Sequence, residues 1–244
     1  MIPVEICVHS QSESVVLESV SAAWQGGASR IELCSDMAND GLTPPVSHIE
    51  VARRAFVDRA GLMVMIRPTP GGFFYDAETV RLMEKQISDA GNAGADGVVI
   101  GVLDPDTGKI DKEHCRRLVG KAKDRGMQIT FHRAFDAITD WQNGLDDLIE
   151  LGIDRVLTAG IPWGKAGTAY DGLNCLEHML RHAHGEIELV VGGGVNLQNA
   201  PEISRALIRI NAHFSLHTYS AVLESDVVSQ QKVSLLRKTL TSLV

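Results

Sequence analysis

The chain has 244 residues, 44% of them hydrophobic and 22% charged, so a core of ordinary globular size is available. Its formal net charge of −8 and its 5% aromatic content argue against nucleic-acid binding, which draws on basic stripes and stacking platforms, and against docking on an anionic membrane. No run approaches the ~18 consecutive apolar residues that a membrane-spanning helix needs.

The first element in the chain is a strand. Val4-Glu5-Ile6-Cys7-Val8 follows no basic segment and no cleavable apolar stretch, so it does not resemble a signal peptide. Without an export signal, Cys7, Cys34, Cys115 and Cys175 are expected to be reduced thiols in a cytoplasmic protein. A helix follows over 12–24, and Gly27 closes it ahead of Arg30-Ile31-Glu32-Leu33. The same punctuation then recurs. Gly61 precedes a strand over 62–66, Gly94 one over 98–100, Gly126 one over 127–131 and Gly152 one at 156–157. Gly185 precedes a strand over 187–191 and Asn211 one over 212–216. Gly and Asn accept the left-handed backbone that closes a helix. The intervals between these caps are 34, 33, 32, 26, 33 and 26 residues, each enough for one strand and one helix. The clearest intervening helices lie over 76–90, 111–123 and 140–151, each opening on an Asp at a plausible N-cap, and a last helix is expected over 227–243. Eight strand–helix repeats with no Pro-, Gly- or Ser-rich linker predict one closed (β/α)8 TIM barrel of parallel strands over 1–244. An open doubly wound sheet is the alternative.

In such barrels the working residues lie at the carboxyl ends of strands and in the loops that follow. Glu5-Ile6-Cys7 and Glu32-Leu33-Cys34 repeat one Glu-x-Cys pattern on neighbouring strands. Side chains alternate along a strand, and Ile6, Val8, Ile31 and Leu33 suit the helix-facing side, so Glu5, Cys7, Glu32 and Cys34 are expected to point into the barrel. Strand 3 ends in Arg67, the expected cationic partner of the carboxylates, and strand 5 ends in His132-Arg133. The competing structural reading is a buried Glu–Arg network that only fills the barrel, with the cysteines as small core residues. Gly192-Gly193-Gly194 follows strand 7, where many barrels bind phosphate through backbone N–H groups, and Thr218 adds a hydroxyl beside it. A tight turn would require glycine in any case. His178, His182 and His184 fall at a helix end and read as a solvated basic terminus. No C-x-x-C, G-x-S-x-G or H-E-x-x-H motif occurs, which disfavours a serine hydrolase.

These residues resemble the CutC family. The matching segments are Val4-Glu5-Ile6-Cys7, Arg30-Ile31-Glu32-Leu33-Cys34, Gly41-Leu42-Thr43-Pro44, Ile66-Arg67-Pro68 and Gly101-Val102-Leu103-Asp104. Thr130-Phe131-His132-Arg133-Ala134-Phe135-Asp136, the most specific, and Arg155-Val156-Leu157-Thr158 complete them. The resemblance implies a cytoplasmic barrel, a homo-oligomer (usually a dimer), and a part in copper homeostasis. Two segments depart from the family pattern. Thr69-Pro70-Gly71-Gly72-Phe73 stands where the family has Arg-Gly-Gly-Asp-Phe, and His217-Thr218-Tyr219 where it tends to have His-Ser-Ser.

Two functions follow. One is Cu(I) binding through Cys7 and Cys34, joined by His9, since soft thiolates suit Cu(I). The other is an enzyme acting on a small, anionic, phosphorylated metabolite. There Glu5 or Glu32 would exchange protons, His132 would act as acid or base, and Arg67 would hold the anion, with Arg133, Asp136 and the glycine turn completing the mouth.

Overall fold

A computed structural model describes residues 2–242. Eight parallel strands close on themselves in sequence order: β1 Val4–His9, β2 Arg30–Cys34, β3 Leu62–Met65, β4 Gly97–Ile100, β5 Gln128–Phe131, β6 Arg155–Thr158, β7 Glu188–Val191 and β8 Phe214–Thr218. The helices α1 Glu13–Gln25, α2 Val46–Phe56, α3 Ala77–Asn92, α4 Lys112–Lys123, α5 Trp141–Glu150, α6 Leu173–His182, α7 Ala200–Ile208 and α8 Gln230–Thr241 surround them. This is the (β/α)8 barrel that the cap spacing predicts. Ser12, Asp76, Asp111 and Asp140 each accept a backbone N–H at the start of α1, α3, α4 and α5. Gly27, Gly61, Gly94, Gly126, Gly152 and Gly185 all take positive φ, so the six glycine signals mark real left-handed turns.

Boundaries toward the carboxyl end differ from expectation. Asn211 Oδ1 accepts the His213 N–H, holding 212–213 in the turn, and β8 therefore runs on to Thr218, which pairs with Ile6 of β1. Val227–Val228 forms β10, antiparallel to β9 Leu223–Glu224, so the last helix begins at Gln230, after Ser229. Leu243, in the expected helix, lies outside the described residues.

The apolar core divides in two. Ile6, Val8, Ile31 and Leu33 join the large cluster between strands and helices, which includes the fully buried rings of Phe56, Phe131 and Phe214. Burying each such ring contributes roughly 1.5–3 kcal/mol. Cys7, Cys34, Met63, Met65 and Val99 form a separate cluster inside the barrel. The inward orientation expected of the two Glu-x-Cys repeats is thus observed.

The amino end of the barrel interior is charged. Arg30 Nε donates to Glu5 Oε2 at 3.0 Å, and its terminal nitrogens reach Glu188 and, at 2.6 Å, Ser215 Oγ. Arg155 donates to Thr130 and Gln128, both at 3.0 Å. Two cations and two carboxylates therefore balance in a buried layer, as the desolvation cost of each charge requires.

Candidate functional site

Above that layer the barrel opens into a cavity of about 310 Å³ at the carboxyl ends of the strands. This lies at the small end of the roughly 300–1,000 Å³ range for metabolite sites. Register builds one wall. Cys7 pairs with Glu32 across β1 and β2, and Cys34 sits one inward step higher, opposite His9. Cys7, Glu32 and Cys34 all line the cavity, and their ligand atoms lie within 4.8 Å of one another.

Glu32 has a partner that the sequence reading assigned elsewhere. His217 Nε2 stands 2.7 Å from Glu32 Oε2, not Arg67. Burial alone would raise the Glu32 carboxyl, but the charge and hydrogen bond of His217, with help from Cys7 and His132, bring it below its usual value. Burial would lower His217, yet the Glu32 charge and contact with Cys7 hold it well above 6.5. The two form a buried ion pair. Beside them the Cys34 thiol is pushed well up by its hydrogen bond with Cys7, by burial and by the Glu32 charge, so it keeps its proton at neutral pH.

Arg67 pairs with neither glutamate, which corrects the expected Arg67–carboxylate bridge. It lies past the end of β3, at the level of the loops, and donates to the carbonyls of Asn39, Gly41 (3.1 Å) and Gly71 (2.8 Å). Glu5 is served by Arg30 and lies in the charged layer, off the cavity wall. The departing loop over 69–73 still contributes to the rim. Phe73 lies under the Arg67 guanidinium at 5.4 Å and packs against His132 at 5.1 Å and Trp163 at 5.2 Å.

His132 is 4% exposed, and its Nδ1 accepts the Ala134 N–H at 3.1 Å, so the neutral ring carries its proton on Nε2. Burial and then the nearby Arg67 charge lower its pKa to about 3. Such a ring stays neutral near pH 7, with an Nε2 proton that no group in the protein accepts. Gly101 makes room for it, because a Cβ there would meet the ring at 2.2 Å.

Arg133 faces the cavity over Trp163, its Nε held at 2.7 Å by Asp136. Asp136 lies behind it, also accepting from Thr158 Oγ1 at 2.5 Å and from the Ala159 N–H, and so positions Arg133 without reaching the cavity. In the glycine turn, the Gly192 N–H is already bonded to Thr158 O. Among the described residues the N–H groups of Gly193, Gly194 and Val195 have no acceptor, and these three residues line the cavity. Thr218 Oγ1 donates to Val195 O at 2.7 Å, so its proton braces the turn and is not available to a ligand.

His9 Nδ1 is bonded to Gln11, and no grouping of three or more metal-capable side chains among the described residues includes His9. The His178–His184 cluster is absent as a site as well, since His178 bonds Asn174 O and His182 bonds Asp146.

The residues missed from sequence are His217, Gly101 and Trp163. His217 was legible in principle: Ser215 faces Arg30 inside the barrel, and strand alternation carries His217 to the same face two residues on.

Comparison with known proteins is consistent along the chain. The family model described as "CutC family" matches residues 2–218. A CutC family protein of Histophilus somni is 39% identical over 216 residues, covering 88% of this chain and 83% of that one. One from Vibrio atlanticus is 37% identical over 228 residues, covering 93% and 87%. The crystal structure of a protein named for copper homeostasis, CutC of Streptococcus agalactiae, superposes with a TM-score of 0.77 at 29% identity, covering 90% of this chain and 99% of that one.

Proposed function

The chain belongs to the CutC family, and from that premise we propose that its barrel mouth is an acid/base active site for a small anionic metabolite. One observation carries this reading. Glu32 Oε1, Arg67 Nε and His132 Nε2 are buried, have no hydrogen-bond partner, and belong to residues that line one cavity. A buried polar atom without a partner costs about 1–3 kcal/mol. Three on residues that line one cavity are relieved together by a polar ligand. Arg133 and the free N–H groups of Gly193, Gly194 and Val195 supply the anion-binding end, and Glu32, kept ionised by His217, supplies the base. The protein works in the cytoplasm as a homodimer of one-domain subunits over 1–244. No helix among the described residues is long and apolar enough to cross a membrane, and all four cysteines are free. A metabolite-binding screen on the untagged protein tests the proposal. Small phosphorylated or carboxylated hits that are lost in Arg133→Met support it, and a screen returning no anion refutes it.

A second reading is favoured by the thiol pair. Cys7 and Cys34 are buried beside Met63 and Met65, and soft thiolates suit Cu(I). The donor set fits: these two cysteines would hold the ion, and its charge would offset the loss of the raised Cys34 proton. Bound there, copper would be stored or handed on as a soft monovalent cation, in keeping with the name of the Streptococcus agalactiae protein. Competition of the reduced protein against a Cu(I) chelator decides it. Cys7→Ser and Cys34→Ser should each weaken binding strongly, and a double serine variant with undiminished affinity ends the reading.

A further inference from the structure

We infer that the mouth takes a short phosphorylated α-hydroxy carbonyl compound and moves a proton on the carbon next to its carbonyl. This rests on the enzyme reading above and names its substrate class.

The cavity lining makes two opposite demands. Arg133 lines it together with Gly193, Gly194 and Val195, whose N–H groups have no acceptor, and this set asks for a compact anion. A glycine turn offering successive N–H donors after β7 suits a phosphate. Glu32 also lines the cavity, its Oε1 is without a partner, and a carboxylate oxygen repels an anion. The ligand therefore keeps its charge away from Glu32 and presents a hydrogen to it.

His132 makes a third demand. Its Nδ1 is committed to the Ala134 N–H, so Nε2–H is a fixed donor, buried and unpaired, on a residue that lines the cavity. It asks the ligand for an acceptor oxygen, and Arg67 adds positive charge beside it. A carbonyl oxygen at this point lies where negative charge would develop if a proton left the adjacent carbon. A carboxylate and a neutral imidazole donor lining one cavity are the two groups that enolisation of a carbonyl compound requires.

The step balances with no further reactant. Glu32 Oε1 takes the proton from the carbon beside the carbonyl, and the C–H electron pair becomes the C=C bond of an enediolate. The carbonyl π pair moves onto oxygen, where His132 Nε2–H and the Arg67 guanidinium hold the charge. Glu32 then returns the proton to the same carbon, or to its neighbour when the hydroxyl proton passes to the former carbonyl oxygen, so that carbonyl and hydroxyl exchange places. His217 is a positioning residue here, bonded to the Glu32 oxygen that does not react.

The test compares two probes by calorimetry on the intact protein. Phosphoglycolohydroxamate, which imitates a phosphorylated enediolate, should bind roughly a hundredfold tighter than inorganic phosphate. His132→Asn keeps an acceptor for the Ala134 N–H but loses the Nε2 donor. It should remove most of that advantage while leaving phosphate affinity within about threefold, and a thermal melt checks that it folds. Arg133→Met should weaken both probes. Equal affinity for the two probes in the native protein, or an advantage that survives His132→Asn, overturns the substrate class and leaves anion binding intact. Failure of both probes to bind overturns the enzyme reading itself.

Discussion

Titrating the folded protein in acid should expose His132. Its pKa in the unfolded chain is near 6.5 and in the folded chain about 3. Between these values the unfolded chain binds a proton that the folded chain refuses, so stability falls as pH falls below 6.5. At pH 7.5 the difference is negligible. At pH 5, about 1.5 pH units below the unfolded value at 1.36 kcal/mol each, the loss is about 2 kcal/mol. Other groups titrate over the same range, so the quantity to measure is the difference between native protein and His132→Asn. Urea unfolding of both at the two pH values isolates it. The stability of the native protein relative to the variant should drop by about 2 kcal/mol on acidification. If the two lose stability in parallel, His132 protonates normally in the folded state, and the picture of a neutral ring locked as a donor is wrong.

The remaining predictions concern its neighbours. His217→Gln leaves Glu32 buried without its cation and should cost about 3–5 kcal/mol, read by denaturant unfolding. Glu32 is lowered and His217 raised, so the pair stabilises fully between their unfolded values, roughly pH 4.5 to 6.5. The variant's deficit should be largest there and shrink as alkali titrates His217; a flat deficit would show that the pair is not ionised. Arg30→Met strands Glu5 and Glu188 and should likewise cost about 3–5 kcal/mol, whereas a loss under about 1 kcal/mol would mean that water reaches this layer. Gly101→Ala forces a methyl group against the His132 ring and should cost about 1–3 kcal/mol, with a neutral result showing that the ring has room to move. A thiol reagent should label half-buried Cys175 in the native protein and reach Cys34 only on unfolding; prompt labelling of Cys34 would contradict its burial and raised pKa.

The fold was legible because its signals are local. A glycine that must take positive φ and an aspartate that caps the next helix each act within a few residues, and repetition along the chain fixed the number of strands. Strand alternation likewise put Cys7, Glu32 and Cys34 on the inner face correctly. Pairing was less legible, since it depends on height within the barrel. Arg30 starts β2 and meets Glu5, as the alternation that puts Glu32 and Cys34 inside also implies, whereas Arg67 lies beyond β3 among loop carbonyls. Asn211 suggests a strand over 212–216 with His217 beyond it, but its side chain first caps a turn, and β8 runs on to carry His217. Protonation lay furthest from view. A histidine followed by arginine suggests acid–base chemistry, but only burial and the Ala134 contact make His132 a neutral donor.

Arg30 gives the order of biosynthesis a physical meaning. As the chain emerges, its guanidinium can meet Glu5 at once, 25 positions away, but Glu188 and Ser215 arrive 158 and 185 residues later. Until then a charged layer that must be dry in the finished barrel stays wet, and the first two strands can pair but cannot seal. Contacts of such long range are slow to form, because the intervening loop has to close before they stabilise anything. A ribosome carrying the first six repeats therefore holds an open sheet edge on both sides, a state prone to pairing with other chains. Only β8 closes the ring, and it brings Ser215 to Arg30 and His217 to Glu32 on the same strand.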